Sequence, residues 1–408
     1  MILGPWTRSG KGVLNVVGII LLVLIALEAS LFGSGRLLQV GPLTVKMYLF
    51  VAAEIYVIIR LVTFESLKLS TYMITLSLSL ILCLGATVGI IYNSSLGAIA
   101  EDIKPLLYFF ILCFVEMTMK TAEHLQLVVK IVKFSAVFIS ISYISILALF
   151  FTGVINFGTL YDLLSGGSEG EFLFRGDSGL FFYKGSLYVA VGLILFAFGR
   201  AWLSTLASVI CFIGLVATGT RGFFLALMAV VLLHALTGIG GYVRRLRYFF
   251  APCAGAAMFF ILISGSLFGK EDSDAVRIVT AHQVADRVTA LSTIVGNGLG
   301  VGVEEKPVHM ENSYLEIFHK QGALGLLWWG SVLTLLFVRY RKARRINYSR
   351  AQPLFLAAMF VAIESVTNPF INNPIGIFVV IIALTGLDVV SAGLSPAPLP
   401  EQRGQAAN

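Results

Sequence analysis

Residues 215–227 read LVATGTRGFFLAL, a single arginine between two strongly apolar runs, with glycines at 219 and 222. A guanidinium is a permanent cation whose planar fork of N–H donors suits phosphate oxygens. Glycine lets a ligand come close to the backbone, and the unpaired N–H groups at a helix N-terminus favour an anion. Arg221 therefore reads either as part of an anion site or as a helix-end arginine snorkelling to water. A second arginine, Arg175, lies in GEFLFRGDSGLFFYKGS (170–186) beside a Gly-Asp-Ser-Gly turn. That turn would project Arg175, with Lys184, toward the same place, unless Arg175 merely pairs with Asp177 or Glu171. A third segment carries Arg277 and Arg287 on a stretch from Ala275 to Ile294 whose apolar residues (Val276, Val279, Val284, Val288, Leu291, then Val295) recur at helical spacing. This pattern predicts one amphipathic helix lying across a membrane face. GNGLGVG follows, with glycines at 296, 298, 300 and 302, and fits tight backbone packing at least as well as phosphate binding, since no strand precedes it. HMENSYLEIF then places His309 and Glu311, two side chains able to take a proton, just before a helix that Asn312 or Ser313 would cap.

The elements that must position these residues are membrane helices. Of 408 residues, 58% are hydrophobic and only 12% charged, and mean hydropathy is +0.91, whereas soluble domains carry about 25% charged residues. About twelve apolar windows approach the roughly 20 residues that a membrane helix needs: 13–33, 42–61, 69–91, 105–119, 133–153, 181–199, 201–218, 222–240, 248–268, 322–339, 353–368 and 375–391. The expected fold class is all-α, one polytopic membrane bundle over 1–390 with two ordered external loops, 154–180 and 269–321, and a disordered tail over 391–408. The net charge of +7 is no nucleic-acid signal, because the basic residues cluster at helix ends, as membrane topology demands. VRRLRY (243–248) and RYRKARR (339–345) are the strongest cytoplasmic markers. Counting from them puts Arg8, Lys11, Arg60, Lys68, Lys120 to Lys133 and Arg200 inside as well, with both termini. The loops at 92–104, 154–180, 219–221, 269–321 and 369–374 then face outward, so Arg221, Arg175 and Arg277 run against the topological bias on one side. The cysteines (Cys83, Cys113, Cys211, Cys253) all fall in apolar runs and suggest no disulfide framework. The five histidines form no metal-binding spacing, so no metal and no cofactor are expected.

Taken in order, TGTRGFFLALM, the glycine run and ENSYLEIFHKQGALGLL resemble the O-antigen ligase and polymerase family of bacterial envelope proteins. That family has an (S/T)RG at a helix start, an arginine about 20 residues before a Gly-x-Gly-x-Gly, and a His-Asn-Ser-Tyr-Leu-like element leading into a helix with Gly-x-x-Gly. The resemblance is specific over about 170 to 330. It implies a glycosyltransferase of GT-C-like architecture in the bacterial inner membrane, with its active site on the periplasmic face. It also implies that arginines bind the pyrophosphate of an undecaprenyl-linked sugar chain: here Arg221, Arg277 (a better match than Arg287) and Arg175. The family's histidine directly precedes Asn-Ser-Tyr, whereas Glu311 holds that place here. Glu311 is thus the first candidate for the base serving the acceptor hydroxyl and His309 the second, with Asn312 and Tyr314 supporting the loop.

The expected reaction is polymerisation, moving a growing glycan from undecaprenyl pyrophosphate to another lipid-linked repeat unit, without metal. The sister reaction, ligation of the glycan to lipid A-core or to a protein, uses the same donor chemistry, and the out-of-register histidine tips the balance toward polymerase. Membrane lipids, a chain-length regulator and a flippase would be its partners. A twelve-span secondary transporter is the alternative from another class, prompted by the intramembrane acids Glu28, Glu54, Glu116 and Glu364, but no two halves of the chain resemble one another.

Overall fold

The structure, a computed structural model, describes residues 6–33, 39–40, 43–63, 65–165, 171–174, 181–199, 201–237 and 271–393. Helix dominates, since a chain in lipid must satisfy every backbone donor and acceptor internally. The helices are α1 Trp6–Leu31, α2 Val45–Val62, α3 Leu69–Ile91, α4 Leu96–Leu107, α5 Ile111–Thr118, α6 Ala122–Phe151, α7 Phe157–Ser165, α8 Leu187–Ala197, α9 Trp202–Ala217, α10 Arg221–Thr237, α11 Glu271–Asp286, α12 Ala290–Val295, α13 Ser313–Ile346, α14 Tyr348–Glu364 and α15 Pro374–Ser391. Among the described residues, five stretches are long and apolar enough to cross a membrane: Gly12–Leu31, Leu69–Ile91, Ala122–Phe151, Ser313–Ile346 and Pro374–Ser391. The expected span at 248–268 lies outside the described residues, as do Cys253 and the tail beyond 393. The window at 105–119 is a bent unit, α4 and α5 joined by a 3-10 turn at Tyr108–Phe110. α15 lies at the centre of the bundle, packed against α13, α14 and α5.

The architecture is mostly helical, as expected, and two details are corrected. Two short antiparallel hairpins pair Gln39–Val40 with Leu43–Thr44 and Phe172–Phe174 with Phe181–Tyr183. The window at 181–199 therefore begins as a strand, where Phe172 stacks on Tyr183 and meets Phe181 edge-on across the ladder. The single amphipathic helix from Ala275 to Ile294 is two helices. Arg287 and Val288 turn back onto Val284 and Ala285, and Thr289 caps α12 in a reciprocal box with Ser292. Of the expected apolar face, Val284 is buried, while Val279, Val288 and Leu291 are exposed. Val284 instead joins Val303 and Met310 in a small core of its own, covered by Leu315 and Phe318. The segment 271–321 is thus an ordered structure on the bundle's end.

Charged side chains pair in separate groups. At one end of the bundle Lys68 and Arg339 both reach Asp388, at 2.6 and 3.0 Å, while Arg60 and Lys120 share Glu65. At the other end lie residues 102, 300, 309–320 and 364–372, together with a buried Lys46–Glu28 pair at 3.6 Å.

Candidate functional site

α13 positions most of the candidate residues. Asn312 caps it, its side chain accepting from the N–H groups of Tyr314 (3.0 Å) and Leu315 (3.1 Å). The Tyr314 hydroxyl donates to the Ala362 carbonyl at 2.6 Å, fastening this end of α13 to α14. Three turns along, Gly322 breaks the helix at φ 64°, ψ −158°, a region essentially restricted to glycine. A Cβ there would strike the Ile294 carbonyl oxygen, so the end of α12 is wedged into the kink.

The glycine run is the other wedge. Gly296, Gly298 and Gly300 all have positive φ, and a side chain on Gly298 would collide with the backbone of Gly89 in α3. Its N–H groups already have partners: Asn297 donates to His319 O (2.7 Å), Gly298 to Lys320 O (3.1 Å), Leu299 to Gly85 O (2.9 Å) and Gly300 to Asp102 Oδ2 (2.7 Å). The run is a packing element that threads between α3 and α13, and those four donors are not left for a phosphate.

Glu311 and His309 have different surroundings. The Arg277 Nε donates to Glu311 Oε2 at 2.7 Å, and Lys306 Nζ lies 3.5 Å from Oε1. Two cations therefore hold Glu311. The half-exposed His309 turns Nδ1 toward Glu316 Oε1 at 3.1 Å, with Asp102 Oδ1 at 3.8 Å. Glu316, Asp102 and Lys320 beneath it are buried. Lys320 Nζ lies 2.7 Å from Asp102 Oδ1 and 2.8 Å from Glu316 Oε1, and it also donates to Val308 O at 2.5 Å. Asp102, His309 and Glu316 present ligand atoms within 4.8 Å of one another, as a metal-binding trio would, and the cation between the two carboxylates is this ammonium.

A chain of contacts joins that cluster to the start of α10. Asn372 Nδ2 donates to Glu316 Oε2 at 3.0 Å, and its Oδ1 accepts from the Ser313 hydroxyl, also at 3.0 Å. Ser313 N donates to Ser365 O at 3.0 Å. Next to Ser365, the Glu364 Oε1 accepts from Asn368 Nδ2 (2.5 Å) and Thr367 Oγ1 (3.1 Å). Gly222 packs on this turn, for a Cβ there would sit 2.5 Å from Thr367 Oγ1 and 2.6 Å from Glu364 Oε1. Glycine at 222 thus lets the start of α10, and Arg221 with it, approach α14.

Arg287 is set apart. Its Nη1 donates to Gly302 O at 2.6 Å, and it lies just past the end of α11. Arg175 lies outside the described residues. Sequence reasoning did not single out Asp102, Glu316 or Lys320. The signal within reach was the Glu316–Lys320 spacing of four on a helix; Asp102 had none, being 218 residues from its partner.

No family model matches the chain. A curated relative, the O-antigen polymerase of Shigella flexneri, is 28% identical over 377 residues, covering 90% of this chain and 94% of its own length. The resemblance to the O-antigen polymerase family holds. The likeness is not confined to the motif-bearing segment from about 170 to 330, since it runs through nearly the whole of both chains.

Proposed function

We propose that the protein is an extracytoplasmic polysaccharide polymerase that moves a growing glycan from undecaprenyl pyrophosphate to the sugar of another lipid-linked repeat unit. The observation that carries this reading is one continuous polar layer at the end of the bundle, with a half-exposed histidine backed by a buried carboxylate, Arg277 bound to the neighbouring Glu311, and the start of α10 packed on the end of α14. The relative's name, O-antigen polymerase, supports polymerisation over ligation. In this reading the fold is a GT-C-like bundle of about twelve spans in the inner membrane, with the layer facing the periplasm and both termini in the cytoplasm. The lipid tail stays in the bilayer while pyrophosphate and sugars lie at the layer. A chain-length regulator and a flippase are its proposed partners.

In the reaction the acceptor hydroxyl forms a bond to the donor's anomeric carbon as the bond from that carbon to the pyrophosphate oxygen breaks. The bonding pair leaves with that oxygen, and the hydroxyl proton passes to the protein. Arg221 and Arg277, with Arg175 as a third candidate, supply fixed positive charge to the leaving group, where one well-aimed donor is worth about 3–4 kcal/mol. His309, rather than Glu311, takes the proton. Both Glu311 oxygens are already engaged by Arg277 and Lys306, and its role is to orient Arg277. Arg287 supports the loop through Gly302.

The transporter alternative finds less support. Glu28 pairs with Lys46, Glu116 accepts from Lys68 N at 2.7 Å and from the Thr71 hydroxyl, and Glu364 is bonded within its own turn. Three of the four acids thus act as local structural partners. Surface glycans of a deletion strain test the reading. Single repeat units on lipid A-core are expected; long chains accumulating on undecaprenyl pyrophosphate would indicate a ligase and overturn it.

A further inference from the structure

We propose that Glu316 is the positioning residue of His309, and that Lys320 and Asp102 form a buried clamp that holds Glu316 in place. The inference rests on the reading of His309 as the proton acceptor. An ionised carboxylate can only accept, so at 3.1 Å from Glu316 Oε1 it is His309 Nδ1 that carries the proton and donates. The imidazole is thereby fixed with Nε2 as its acceptor atom, the tautomer a general base requires.

The clamp is closed on every side. Glu316 Oε1 accepts from His309 and Lys320, and Oε2 accepts from Asn372 Nδ2. Asp102 Oδ1 accepts from Lys320, and Oδ2 from the Gly300 N–H. Lys320 directs its three donors at Asp102, Glu316 and the Val308 carbonyl. A buried charge cluster is tolerated when its members are paired and hydrogen-bonded in this way. Two carboxylates against one ammonium leave the cluster with one net negative charge. When His309 takes the hydroxyl proton, the imidazolium that forms meets that charge 3.1 Å away. Three further charged groups neighbour this region, Glu311, Arg277 and Lys306, and they are engaged with one another. The clamp also explains the glycine run: Gly300 delivers the N–H that fixes Asp102, and Gly298 donates to the Lys320 carbonyl.

A double-mutant cycle separates positioning from scaffolding. The protein is purified, reconstituted in liposomes and given lipid-linked repeat units extracted from a strain lacking the gene. Glu316→Gln should lower kcat by about 10- to 10,000-fold, the upper end being the loss when a triad carboxylate is amidated, and leave KM within about threefold. In a His309→Gln background the same change should cost less than about threefold, because residues acting as a unit are not additive. Glu316→Asp should restore part of kcat. Equal losses in both backgrounds, or a raised KM at unchanged kcat, would overturn the positioning role while leaving His309 as acceptor. A near-normal rate from His309→Gln alone would instead overturn the reading of the histidine. If Glu316→Gln fails to fold, Asp102→Asn goes through the same cycle, with the same non-additivity expected and additivity counting against the clamp.

Discussion

Glu311→Gln separates the two candidate bases by magnitude. The Arg277–Glu311 pair is partly solvated, with side chains 43% and 33% exposed, and pairs of that kind contribute about 0.2–1 kcal/mol. If the whole of that orientation is lost in the transition state, the rate falls by up to about fivefold, at 1.36 kcal/mol per tenfold. Removing a general base costs about 100- to 10,000-fold. Glutamine preserves the shape of Glu311 and a single acceptor for Arg277, so the variant should fold normally. The assay is the initial rate of undecaprenyl pyrophosphate release from lipid-linked repeat units in liposomes, with His309→Gln run in parallel. Glu311→Gln should keep at least about a fifth of the wild-type rate, and His309→Gln should fall below one hundredth. A loss above about 100-fold in Glu311→Gln, with His309→Gln near normal, would refute the reasoning and make Glu311 the base.

Arg221→Lys keeps a charge at the start of α10 but loses the bidentate fork, so the release rate should fall strongly while folded yield in detergent is unchanged; an unchanged rate would remove Arg221 from the pyrophosphate site. Gly322→Ala forces a side chain into a glycine-only conformation at about 1–3 kcal/mol and against the Ile294 backbone. It should lower the melting temperature and the rate together, and a melting temperature equal to wild type would show that the kink is not fixed by glycine.

The helices were largely legible because lipid writes them into composition. The window 69–91 coincides with Leu69–Ile91, 201–218 with Trp202–Ala217 and 375–391 with Pro374–Ser391. The Asn312 cap was legible too, from its place before an apolar pattern. The break between α11 and α12 was not, because valines at helical spacing continue through it and only the Thr289–Ser292 box marks the restart. Of the site, Arg277 and Glu311 were both named from sequence, but not that they bind each other. The clamp was illegible for a different reason. Glu316 and Lys320 at a spacing of four look like an ordinary solvated helix pair, and only burial against α4, some 200 residues earlier, turns them into a charge cluster.

Reconstitution in liposomes with lipid-linked repeat units as the sole substrate tests the central claim most directly. The account predicts a ladder of lengthening glycans on the lipid carrier, one undecaprenyl pyrophosphate released per bond formed, and no ladder from Arg221→Ala or His309→Gln. Folded wild-type protein that releases no undecaprenyl pyrophosphate until lipid A-core is added, and then makes no ladder, would contradict it.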